Sequence, residues 1–140
     1  LKKIFNNDHL PSPVTLAAGS ALGTYCEAQS HPSMDCLEVP KFQEIMQVIA
    51  EKLKRTCSGG RGHSDETRKI VTVLKALGNV RRMTDELEDA VLQCTLEEGV
   101  APRIKIAAAE ALKMAPCKPK VRLNLLISQD IIDNYAIILL

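Results

Sequence analysis

Aromatic side chains are scarce in this chain: its 140 residues include two Phe, two Tyr and no Trp. Phe5, Tyr25, Phe42 and Tyr135 cannot fill a domain-sized interior, so the core must be aliphatic, built from Leu, Ile, Val, Met and abundant Ala. That composition favours close-packed helices over a β-sandwich, whose strands draw on aromatic and β-branched residues. A dominant charge is also missing. Eighteen Lys and Arg face 17 Asp and Glu, a formal net charge of +1, so there is no electrostatic ground for expecting nucleic acid or an anionic membrane as partner. The longest uncharged stretch, Pro11 to Cys26, is 16 residues and carries two Gly and three Ala, too short and too mixed to span a bilayer. The chain starts at Leu1 with no basic-then-apolar leader and stops on Ile137-Ile138-Leu139-Leu140. It is therefore expected to be a fragment, with its true termini and a signal peptide outside it.

The motifs of catalysis are missing too. Ser58-Gly59-Gly60-Arg61-Gly62 is glycine-rich, yet it lacks the G-x4-G-K-[ST] order that cradles phosphates and no strand precedes it. It reads as a loop. No G-x-S-x-G elbow and no H-E-x-x-H occurs. Asp85, Glu86, Glu88 and Asp89 are paired carboxylates of the kind that do acid–base work, but near a helix start the dipole and solvation account for them. Arg81-Arg82 and Lys52-Lys54-Arg55 read as solvated charges. No catalytic residue and no cofactor are expected.

What is present is helical periodicity. Ile70, Val73, Leu74 and Leu77 lie at i, i+3, i+4 and i+7, one stripe of a helix. Ser64 or Asp65 can cap its start, and Gly78-Asn79 suits its end because both tolerate the left-handed conformation. Leu87, Ala90, Val91 and Cys94 repeat the pattern behind the capping hydroxyl of Thr84. Phe42, Ile45, Met46, Ile49 and Leu53 form a stripe entered at Pro40. Ser12-Pro13 opens an earlier helix, with Leu16, Ala17 or Gly19, and Leu22 facing inward. Ala101-Pro102 opens a later one, with Ile104, Ala108, Ala111, Leu112 and Ala115 on its stripe.

The connections are short and rich in turn residues: Ser30 to Ser33, Ser58 to Gly62, Glu98-Gly99, and Pro116 to Pro119. Short links imply antiparallel neighbours. Ser20-Ala21-Leu22-Gly23, Lys75-Ala76-Leu77-Gly78 and Glu110-Ala111-Leu112-Lys113 recur late in alternate helices. The last two copies lie 35 residues apart, close to the unit length of helix-pair solenoids. Ala at that point admits a close neighbour while Leu fills the gap between units. The expected fold is all-α: antiparallel helix pairs stacked as a HEAT-like α-solenoid segment over residues 13–117. Leu22, Leu74, Leu77, Leu87, Val91 and Leu112 form its core. Residues 1–12 are a linker or the end of a preceding helix, and 118–140 a tail that can form one more helix.

The five cysteines leave two readings open. An antiparallel hairpin brings Cys26 and Cys36 to one turn and makes Cys57 and Cys94 neighbours. Each cross-link would stabilise by about 3 to 4 kcal/mol in the chain-entropy model. Alternatively, all five are buried reduced thiols of an intracellular repeat protein. Cys26, His31 and Cys36 do not make a zinc site, because the C-x2-4-C knuckle and a fourth ligand are missing. His9 and His63 fall in linking segments, so no metal is expected.

Thr15-Leu16-Ala17-Ala18-Gly19-Ser20-Ala21-Leu22-Gly23-Thr24-Tyr25-Cys26, a second Cys at 36, Val73-Leu74-Lys75-Ala76-Leu77-Gly78-Asn79 and Ile106-Ala107-Ala108-Ala109-Glu110-Ala111-Leu112 together resemble the large lipid transfer protein family. That family includes vitellogenins, apolipophorins, apolipoprotein B and the microsomal triglyceride transfer protein. Cys57-Ser58-Gly59 followed by Leu92-Gln93-Cys94 is similar to the apolipoprotein B and apolipophorin branch. Two departures are Val80-Arg81-Arg82, where relatives carry another small residue, and the sequence after Lys118, which does not continue the repeat. The resemblance implies a secreted protein with Cys26 paired to Cys36 and Cys57 to Cys94, leaving Cys117 over. It also implies a helical scaffold that braces a lipid cavity formed by β-sheets of the same polypeptide, with lipid bound by the complete protein. No receptor is implied. The competing expectation is an intracellular HEAT-like module that binds a protein partner on its concave face.

Overall fold

The computed structural model describes residues 2–7, 9–29, 35–58 and 64–114. Among these residues there are six α-helices, one short 3-10 helix and no strand: α1 Lys2–Asn6, α2 Ser12–Gln29, the 3-10 helix Cys36–Glu38, α3 Pro40–Ser58, α4 Ser64–Val80, α5 Asp85–Leu96 and α6 Pro102–Met114. The fold is all-α. Ala115, Cys117, the turns at 30–33 and 59–62, and the tail from 118 lie outside the described residues.

Local chemistry places several helix starts where the spacing puts them. Pro40 begins α3, where a missing N–H costs nothing. Thr84 is the N-cap of α5: its backbone is extended and its hydroxyl accepts from the Leu87 N–H at 3.4 Å. Ala101 accepts from the N–H groups of Ile104 and Lys105 at 3.0 and 3.2 Å, opening α6 at Pro102. Between α5 and α6, Gly99 takes φ of 84°, a turn conformation that favours glycine.

The end of α4 differs from expectation. The helix passes through Gly78-Asn79 to Val80, and the left-handed residue is Arg81, with φ of 63°. Val80 is buried and the Arg81 N–H still donates to the Leu77 carbonyl at 3.3 Å. Burying Val80 and packing Asn79 against α2 outweigh a left-handed non-glycine residue, which costs about 1 to 2 kcal/mol.

Packing sorts the helices into two layers. α4 packs between α2 and α6, while α3 packs between α1 and α5; α5 also packs on α6 across the layers. Within a layer the chain runs in one direction. Gly19 of α2 faces Ala76 of α4, and Gly23 faces Asn79 and Val80. In the other layer Cys57 and Cys94 meet near the C-terminal ends of α3 and α5. This alternation is the packing of a solenoid-like domain.

The core fills the space between the layers. Leu22, Leu74, Leu77, Leu87, Val91 and Leu112 all have 0% exposure, each contributing about 1.5 to 3 kcal/mol by burial. Phe42, Ile45, Met46, Ile49 and Leu53 are buried along α3, and Phe5 of α1 joins them. The α2 stripe needs a correction. Ala17 and Ala21 are exposed, and the inward face is Thr15, Ala18, Gly19, Leu22, Gly23 and Cys26. The close neighbour is therefore admitted in α2 by glycine, not by the alanine of the Ala-Leu repeat; Ala76 of α4 lies against Gly19, and Ala76 and Ala111 are both buried, at 0% and 2% exposure.

Candidate functional site: the seams between helices

The residues with the most constrained surroundings lie at the seams that hold the layers together. Gly19 and Gly23 are four apart and so share one face of α2. A Cβ added at Gly19 would lie 2.5 Å from the Ala76 carbonyl oxygen and 2.8 Å from its Cα. At Gly23 it would meet the Asn79 oxygen at 3.0 Å. A mid-helix glycine costs about 1 kcal/mol relative to alanine. Two of them on one face are explained by backbone approaching backbone. At the N-terminal end of this seam Ser12 and Thr72 exchange a hydrogen bond at 3.3 Å.

Two disulfides tie different parts of the assembly. Cys26 in the last turns of α2 joins Cys36 of the 3-10 helix, linking the layers with Cα atoms 5.0 Å apart. Cys57, the penultimate residue of α3 and not part of the following loop, joins Cys94 of α5, within one layer, at 5.3 Å. All four cysteines are buried, with exposure of 3% or less. The sulfurs of Cys26 and Cys36 are thus bonded to each other and are not thiolate ligands. Among the described residues no group of three or more His, Cys, Asp and Glu could hold a metal. No helix among them is long and apolar enough to cross a membrane.

The charged clusters link helices rather than simply face solvent. Arg82 pairs with Asp35, fastening the turn after α4 to the 3-10 helix. Lys54 of α3 meets Glu86 of α5 at 3.0 Å, and Lys52 donates to the Phe5 carbonyl at 2.7 Å. Lys2 pairs with the exposed Glu44, whose carboxyl is held below its ordinary range by that hydrogen bond and then by the Lys2 charge. Solvation explains only part of the acidic run that opens α5: Asp85 and Asp89 are exposed, whereas Glu88 is buried at 5% exposure. Sequence reasoning missed the Gly19–Gly23 pair, although a Gly-x-x-x-Gly spacing inside a helix was a readable signal for it. It also missed the Arg82–Asp35 tie, for which separation by 47 residues leaves no local signal. The arrangement places hydroxyls, disulfides and ion pairs at joints, where they position helices.

Comparison with known proteins extends this description. A family model described as the vitellogenin TPR domain matches residues 2–131. The chain is 26% identical over 122 residues to a protein named apolipophorins from Locusta migratoria, covering 87% of this chain and 3% of that protein. It is 28% identical over 128 residues to apolipophorins from Manduca sexta, covering 90% and 4%. With a vitellogenin from Penaeus merguiensis it shares 26% over 117 residues, covering 84% and 4%. The chain therefore spans only a small part of the length of these relatives. No solved structure matches it.

Proposed function

The chain belongs to the vitellogenin TPR domain family, and on that premise we propose that it is a helical scaffold segment of a secreted lipid-transport protein. It acts by packing: the two helical layers brace a lipid cavity built by β-sheet domains of the same polypeptide, and the complete protein carries the lipid. The observation that carries this reading is the family match over residues 2–131. The geometry supports the bracing role, since a seam in which backbone touches backbone resists sliding of one helix past the next. The two disulfides support an extracellular setting, because cytosolic thiols are kept reduced. No step of chemistry is assigned to any side chain.

Thiol counting under denaturing, non-reducing conditions tests the compartment. Four of the five cysteines are bonded in pairs, so peptide mapping of the protein from its natural source under those conditions should recover the linked peptides Cys26–Cys36 and Cys57–Cys94. Five free thiols would instead favour an intracellular HEAT-like module that binds a protein partner. Uptake of neutral lipid from an emulsion by this chain alone, in the folded state, would contradict the bracing role.

A further inference from the structure

α6 carries apolar side chains on two faces, and the core uses one of them. Ile104, Ala107, Ala108, Ala111 and Leu112 belong to the core, and α4 and α5 are the helices that pack most on α6. Met114 marks the α4 side, since its side chain is what a Cβ at Gly78 would meet, at 3.9 Å. Ile106 and Ala109, three apart, share a different face. Ile106 is half-buried and Ala109 has 0% exposure, yet neither joins the core. Among the described residues Ala109 is the one buried apolar side chain that stays outside it. A helix that is apolar on both faces belongs where both are covered, and a side chain as small as alanine loses its exposure only where another surface lies close upon it.

The chain itself supplies an occupant for that face. The family match runs past Met114, the last residue of α6, to residue 131. In that stretch, which lies outside the described residues, Leu123, Leu126, Ile127 and Ile131 fall at i, i+3, i+4 and i+8, the spacing of one helical stripe. Pro119 suits the first turn of such a helix. Residues 115–118 are then the link, within the range of about two to eight residues that joins neighbouring helices.

We propose that residues 119–131 form a further helix that docks on the Ile106–Ala109 face of α6. Ala109 admits the close approach, as Gly19 and Gly23 do between α2 and α4, and the apolar stripe of the segment fills the space beside Ile106. The second face of α6 is thereby an internal contact, closed to any partner. This contact goes beyond the bracing role and does not rest on it, since it forms within the chain whatever the chain supports.

Limited trypsin digestion of the full chain, over a range of protein concentrations, tests the proposal. Trypsin cuts a bond only when its backbone opens locally, so docking slows the cut. Cleavage after Arg122 is expected to be at least tenfold slower than in a free peptide of residues 115–140, and equally slow at every concentration. Leu126→Glu and, separately, Ala109→Glu should each return that cleavage to the rate of the free peptide, with the cooperative thermal transition of the remaining helices retained. Leu126→Glu leaves α1 to α6 unaltered in sequence, so it decides the matter where Ala109→Glu does not fold. Peptide-like cleavage in the unmodified chain, or protection unchanged in either folded variant, overturns the proposal. Protection that disappears on dilution overturns it as well, because it would place a second copy of the chain on the α6 face.

Discussion

The α2–α4 and α3–α5 seams both join parallel helices of one layer, yet they use opposite chemistry. Between α2 and α4 the side chains are removed: Gly19 and Gly23 let the Ala76 and Asn79 backbone come within Cβ distance, and no disulfide joins the two helices. Between α3 and α5 the side chains are large, and the join is reinforced by Cys57–Cys94 and by Lys54–Glu86. A seam that brings backbones together gains dense contact and needs no link. The other seam holds bulkier stripes at one end by a covalent bond. Two routes to the same geometry imply different sensitivities to mutation and to redox conditions.

The largest expected effect breaks the covalent seam. Replacing Cys57 and Cys94 together by Ala should lower stability in urea by about 4 kcal/mol, because the bond closes a loop with sequence separation 37; Cys26→Ala/Cys36→Ala, with separation 10, should cost about 3 kcal/mol. Equal losses would mean that loop closure is not what these bonds supply. The next effect tests the close seam by its sign. Gly19→Ala places a methyl group against the Ala76 backbone and should cost about 1 to 3 kcal/mol. Gly78→Ala meets only the Met114 side chain, at 3.9 Å, and should stabilise by up to about 1 kcal/mol through helix propensity. Stabilisation by both substitutions would show that α2 and α4 do not approach so closely.

The smallest effect concerns the α1–α3 contact, where the exposed Lys2–Glu44 pair holds the Glu44 carboxyl below its ordinary range. A carboxyl depressed in the folded state stabilises above its unfolded pKa, and the effect is lost as pH falls through the folded pKa. The Glu44 side-chain resonance should therefore titrate at lower pH than a free glutamate. It should return to the ordinary range in Lys2→Ala, and move toward it at high salt because the pair is exposed.

Much of this architecture was legible in order along the chain. Pro40, Thr84 and Pro102 marked helix starts because capping and proline geometry act over three or four residues. The stripe on α3 was legible because a period of 3.6 reports burial wherever one face is apolar. The stripe on α2 was less so: its residues are small on several sides, and Ala17 looks as apolar as Ala18. Choosing between Ala17 and Gly19 required knowing that α4 lies against the latter. The stop at Gly78-Asn79 failed for the same reason, as local preference was overridden by burial of Val80. The Arg82–Asp35 tie was invisible in sequence, since its partners lie 47 residues apart.

Composition and periodicity by themselves determined an all-helical chain with an aliphatic core, because scarce aromatics and a 3.6-residue apolar repeat leave few other ways to bury its Leu and Ala. The resemblance in its motifs implied the cysteine pairs found in the structure. Only the tertiary structure decided which helix lies beside which, how closely α2 approaches α4, that Arg81 takes the left-handed turn, and which charges meet. Those outcomes depend on surfaces brought together over tens of residues, and no local preference of about 1 kcal/mol can set them against the burial of a whole helix face.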